Sequence, residues 1–383
     1  MELAQLIPGF QPLPFPLPVW LMQLLLVLGF YLHALPMNVM LGGGFISAAL
    51  FFLGRKDKQS YAYRAAKALA VSLPLFISFA ITQGIVPLLF LQLLFGPAFY
   101  TSSILMAVPW LSLLAVLMSS YYIAYFVVYR VLKEEDERKI AGKAISWLLL
   151  MSLGFTLIGF VFSNNMTLML QPEKWLALYQ ANSHGMHLNT SEPQLIPRYL
   201  HFFIAAIAVT GMTLGCFGLY MLKREEQFGR WMIKIGSKIF LIATVWQIPV
   251  GLWFLKALPA QYAILFLGGD TPATAVFALS MVLTLVAILA SALAHSSGSK
   301  AAFITALVTN AVLVLAMIVN RHQLRQFYLS PHIKPDLVAV QTQWDLLAIF
   351  LVSAVALIAY LVWLCRLVLT AYNQKQPGSA VSI

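Results

Sequence analysis

Carboxylates are scarce in this chain. Thirteen aspartates and glutamates occur in 383 residues, and each falls in a loop, a terminus or the end of an apolar run, with Asp345 nearest to a run's interior. Ion-coupled transporters and proton pumps use ionisable side chains at membrane depth, where the cost is tolerated because those groups do the work. Neither class is supported here. Cysteine is scarcer still: Cys216 and Cys365 both lie in apolar segments, and no CxxC or CxxCH is present. That argues against covalent c-type heme, cysteine-ligated zinc and a disulfide scaffold. Charge as a whole is low, at 10% of residues, against about 25% in soluble domains. With 61% hydrophobic residues and a mean hydropathy of +0.84, the chain carries more apolar surface than a water-soluble fold can hide. The stretch from Met1 to Trp20 lacks a basic n-region, so it does not read as a cleaved signal peptide. No low-complexity linker or transporter-type internal repeat divides the sequence, which reads as a single transmembrane domain over 1–383.

What the chain does have is a series of apolar runs, each long enough to cross a hydrocarbon core, which takes about 20 residues. They predict an all-α, polytopic transmembrane bundle of about nine spans, at 18–53, 68–96, 102–131, 144–170, 198–222, 236–257, 272–295, 301–320 and 342–371. The loops sort by charge. One alternating set, with the carboxyl-terminal tail, holds 18 of the 24 basic residues, from Arg55 to Lys375; the other holds only Lys174, Arg198, Lys256, Arg321, Arg325 and Lys334. The positive-inside rule then places the amino terminus outside and the carboxyl terminus in the cytoplasm of an inner (cytoplasmic) membrane. The net charge of +11 is spread over these loops and is not gathered into a patch with interleaved aromatics, so nucleic acid is not an expected partner and membrane lipid is. The acidic run Glu134–Glu137 reads as a solvated, self-paired surface.

Histidine and methionine do occur inside the spans. Both can hold heme iron without adding a fixed charge, which makes heme the cofactor to test. His33 is followed by Met37, Met40 and Gly44 at helical offsets, a face against which a flat macrocycle could rest; a histidine bonded to a neighbouring helix is the plainer reading. His201 is followed by Ala205, Ala208, Gly211 and Gly215, small residues suited either to close helix packing or to a porphyrin. Arg198, one turn before His201, and Arg321 with Arg325 at the outer end of the eighth span suit heme propionates, and suit ordinary interface anchoring equally.

The stretch HFFIAAIAVTGMTLGCFGLYMLK from His201 to Lys223 resembles the fifth helix of subunit I of the cytochrome bd quinol oxidases. Three more segments follow the same order: HALPMNVMLGGGF from His33 is similar to that family's first helix, FAITQGIVPLLFLQLLFGPAF ending at Phe99 to its second, and GFVFSNNMTLMLQPEKW ending at Trp175 to the end of its fourth. The resemblance implies that His33 ligates one of the hemes of an oxygen-reducing pair and that His201 is an axial ligand of a low-spin heme b. It implies a methionine as the other low-spin ligand, for which Met281 in FALSMVLTL is the best placed, with Met317 and Met212 behind it. The family's eighth-helix glutamate ligand has no counterpart between Ala306 and Asn320, and His322 is either a substitute ligand or an interface residue.

Two departures bear on the reaction. Thr101 to Tyr129 contains none of the glutamates that deliver protons in the oxidases, and Leu258 to Asp270 is too short to be their quinol-binding loop. The expected function is therefore a membrane electron-transfer subunit of a larger respiratory complex, binding more than one heme b. It would exchange electrons between quinone or a neighbouring membrane subunit and an outer-face redox protein carrying hemes or iron–sulfur centres. A divergent bd-type terminal quinol oxidase is the second reading, and a heme-free scaffold or carrier the third.

Overall fold

In a computed structural model, which describes residues 13–133 and 137–374, the chain is helical throughout its long elements. Glu134, Glu135, Asp136, Lys375 and the first twelve residues lie outside the described residues. The helices in chain order are α1 (Val19–Gly54), α2 (Tyr61–Leu105), α3 (Ala107–Tyr129), α4 (Glu137–Leu168), α5 (Pro172–Ala181), α6 (Leu195–Met221), α7 (Glu226–Ala257), α8 (Ala260–Ile264), α9 (Thr271–Ser297), α10 (Lys300–Leu329) and α11 (Trp344–Gln374). Among the described residues nine of these are long and apolar enough to cross a membrane, and α5 and α8 are the short exceptions. The chain is a polytopic helical bundle, as its apolar runs require.

Several of the expected ends need revision, among them the start of the fourth span, which lies seven residues earlier at Glu137. The second span extends to Leu105 across a kink at Phe95 (φ −132°, ψ 26°), two residues before Pro97, whose ring and missing N–H disrupt the preceding helical turn. The sixth begins ten residues earlier, at Glu226, because amphipathic turns that carry Arg230 and Lys234 and bury Phe228, Met232 and Ile233 continue the helix. The eighth does not stop at Asn320 but runs to Leu329, so Arg321 and Arg325 stand within a helix.

Two compact units make up the chain. Residues 13–21 and 336–374 form the smaller, in which Phe15 donates its N–H to the Ala339 carbonyl (2.7 Å) and accepts from Gln341 (2.9 Å). Met22–Pro335 forms the larger, which holds α2 to α10. Its tightest contact joins α6 to α7. A Cβ on Gly211 would stand 2.7 Å from the Gly236 carbonyl oxygen, and one on Gly218 would stand 2.7 Å from that of Gly229, so the two backbones touch where side chains would hold them apart. α9 and α10 close this end with Ala287, Ala294, Ala302 and Phe303, packed on Met212, Ile233 and Phe240.

Gly236→Val is expected to destabilise the protein in detergent by at least about 2 kcal/mol, the range for overpacking a filled interior. Gly142→Ala should leave thermal unfolding unchanged or slightly raised, because a Cβ there meets nothing within 4 Å. Equal melting temperatures for the two variants would refute the contact.

Candidate functional site

Beyond that closed end the two helix pairs part. A cavity of about 280 Å³ opens between α6 and α7 on one side and α9 and α10 on the other, with Phe30, Ala34, Met37 and Asn38 of α1 completing its wall. Ala208 and Phe240 belong both to the packed cluster and to the cavity floor. The small-residue face behind His201 is therefore divided by function. Ala205 and Ala208 line the cavity, whereas Gly211 and Gly215 serve packing, against α7 and against the Phe303 ring.

Four of the expected site residues come together on this cavity: His201 and Arg198 from α6, Met281 from α9 and Arg321 from α10. His201 packs its ring edge over Gly251 of α7, where a Cβ would lie 3.5 Å from Cε1, and its Nδ1 is buried without a hydrogen-bond partner. Met317 also lines the space, while Met212 is sealed in the packed cluster below it. The wall is otherwise mostly apolar, with Asn38, Thr244, Gln247, Thr284, Asn310 and Asn320 as its neutral polar members; the Asn320 amide donates to Ser280 Oγ (3.2 Å) and its Oδ1 has no partner.

His33, His322 and Arg325 do not line the cavity. His33 Nδ1 bonds the Ala80 carbonyl of α2 at 2.8 Å, with Gly84 giving room for the ring. As donor there, it leaves Nε2 as the free nitrogen, the arrangement in which a histidine is held for ligation or simply for packing. Of the face that follows His33, Met37 turns to the His201 cavity, while Gly44 packs on Ser152 and Met151 of α4. His322 is buried with both ring nitrogens unpartnered.

The burial of the arginines departs from ordinary interface anchoring. Arg198 and Arg325 are 5% and 6% exposed. Arg198 lies over the Phe254 ring (5.8 Å), Arg321 over Phe30 (4.3 Å) and Phe202 (5.7 Å), and Arg325 over Phe95 (5.6 Å). Among the described residues none of the three forms an ion pair, the Arg321 Nε has no hydrogen-bond partner, and Arg321 and Arg325 each feel the repulsion of Arg198. Aromatic faces offset only part of the cost of burying a cation. Glu192 attracts Arg198 without pairing with it, and a buried cluster of three cations with no ion pair of its own calls for a further anion.

The described residues contain no cluster of three or more His, Cys, Asp or Glu able to hold a bare metal ion. One histidine and one methionine can hold iron only when a macrocycle supplies the remaining donors. An orphaned buried imidazole, a thioether, an apolar cavity and unpaired cations suit heme, whose two carboxylates carry the missing negative charge.

No protein-family model matches the chain, and no curated protein matches it. A solved structure does: a chain of the bd oxidase from Geobacillus thermodenitrificans is similar at a TM-score of 0.70, over 95% of this chain and 100% of that one, with 13% identity. The chain has the bd oxidase fold. At that identity the likeness is one of helix arrangement, and within the bd oxidase fold the site must be argued from this chain's own residues.

One of those residues escaped sequence reading. Glu192, in the connection between α5 and α6, is the one buried carboxylate among the described residues, at 6% exposed. Nothing in its neighbours distinguishes it from a solvated loop glutamate. Its only sequence signal is its position, six residues before Arg198 and nine before His201.

Proposed function

We propose that the chain is a heme b-binding electron-transfer subunit of a respiratory membrane complex, with one heme held in the cavity between α6 and α9. The observation that carries this reading is the convergence of His201, whose buried Nδ1 has no hydrogen-bond partner, Met281 and arginines without an ion pair on one apolar cavity. When bound, the heme supplies one-electron exchange. His201 and Met281 would hold the iron, Arg198 and Arg321 would meet the carboxylates, and the aromatic side chains of the wall would exclude water. Arg325, off the cavity wall, adds its positive charge to that end. His33 and His322 are proposed as ligands of further heme, His33 through the nitrogen its Ala80 bond leaves free.

The charge of the loops supports an amino terminus outside an inner membrane, an orientation in which the His201 end of α6 would lie near the outer face. Electrons would then pass between quinone or a neighbouring membrane subunit and an outer-face redox protein. A divergent quinol oxidase is the alternative that the bd oxidase fold favours. An optical spectrum of the purified chain tests the reading. A sharp reduced α band of b-type heme is expected, and a protein expressed in heme-replete cells that shows no such band would refute it.

A further inference from the structure

The Glu192 carboxylate sits at the end of a hydrogen-bonded chain that leads into the cavity. It accepts from Gln171 Nε2, from Lys174 Nζ (3.1 Å) and from Gln194 Nε2 (2.9 Å). Gln194 is fully buried, and its Nε2 also donates to the Tyr328 hydroxyl of α10 (3.1 Å). Both amide hydrogens are thus claimed. Gln194 Oε1 is left to face Arg198, whose guanidinium donates to it at 3.5 Å. Burial pushes the Glu192 carboxyl up, but donation from Gln194, Gln171 and Lys174 outweighs it and holds the group below the usual carboxylate range. It is ionised at neutral pH, and an ionised carboxylate only accepts. A reversed Gln194 amide would set oxygen against oxygen at Glu192 and donor against donor at Arg198.

We infer that Glu192 is a positioning residue for an anionic ligand of the cavity: by fixing the Gln194 amide, it presents the Arg198 guanidinium to that ligand's carboxylate. The inference rests on the heme reading and deepens it, since it assigns recognition of the porphyrin's acid groups to a relay outside the cavity wall. Lys174 on α5 neutralises Glu192 without reaching Arg198, so the arginine keeps its charge for the ligand. Tyr328 ties the relay to α10, which carries Arg321.

Iron-free porphyrin separates this role from ligation. Full-length protein from heme-limited cells is titrated with protoporphyrin IX and with its dimethyl ester, which has the same ring and no carboxylates. Wild type should prefer the diacid. Glu192→Gln should weaken the diacid about tenfold, the loss of one charge-assisted contact, and leave the ester unchanged. Gln194→Ala should do the same with the carboxylate retained, which answers the question if the first variant does not fold. Glu192→Gln in an Arg198→Gln background should add nothing. Undiminished diacid binding in both single variants overturns the inference, as does equal weakening of diacid and ester. A wild type that binds neither porphyrin refutes the heme reading and the relay with it; a wild type that prefers the diacid beside indifferent variants refutes the relay alone.

Discussion

The His201→Ala protein is expected to lose the low-spin heme b signal altogether, while any heme held through His33 stays. Among the described residues His201 offers the only imidazole on the cavity wall. The sixth ligand is a sharper question because Met281 and Met317 both line the space. Met281→Leu should convert the spectrum from low-spin to high-spin, and Met317→Leu should leave it alone. Leucine is close to methionine in volume and costs less than about 1.5 kcal/mol in such exchanges, so a spectral change reports ligation rather than collapse. Low-spin spectra in both His201→Ala and Met281→Leu would end the assignment; conversion by Met317→Leu instead would move the ligand to α10.

Quinol-driven oxygen reduction by the chain with its partners is expected to fall below about 1 per second, the lower end of the usual enzyme range. Four protons must reach a buried site for each oxygen reduced to water. Thr101 to Tyr129 supplies no carboxylate, and Glu192, the one buried acid among the described residues, is held ionised by three donors and lies in a connection beside Lys174. On α3 the polar groups are hydroxyls, with Tyr121 bonded to Ser78 of α2 and lying 3.3 Å from Tyr125. These hydroxyls keep their protons at neutral pH and do not take up and release one in the way a raised carboxylate does. Cyanide-sensitive oxygen consumption measured with quinol as donor is the check. Turnover of tens per second or more would replace the electron-transfer reading with that of a divergent oxidase.

The spans were legible because apolar runs of this length have one stable home, and their number follows from composition alone. Their ends were less so. Hydropathy separates lipid from water, but it does not separate water from a polar protein interior, and Arg321 and Arg325 therefore looked like the end of the eighth span. They stand inside α10, among aromatic faces. The same blindness hid Glu192, which reads as a loop residue and is buried beside Gln171, Lys174 and Gln194. His201 and Arg198 were legible because they share one helix face, and Met281 because the family resemblance pointed to it. Where the small-residue face of α6 changes from cavity wall to packing surface was not legible. That boundary is set by α7, α9 and α10, and no local pattern in α6 encodes it.

The backbone contact of Gly211 with Gly236 acts as a fulcrum. His201 lies ten residues up α6 from it, a lever arm of about 15 Å at the rise of an α-helix. A change of about four degrees in the angle between α6 and α7 would swing the imidazole by roughly 1 Å, about the misplacement at which a ligand or catalytic group loses its function. The position of the His201 imidazole on the cavity wall is thus open to tuning by residues that never approach it: a methyl group added beside the glycines at the far end would be read out there as a displaced ring.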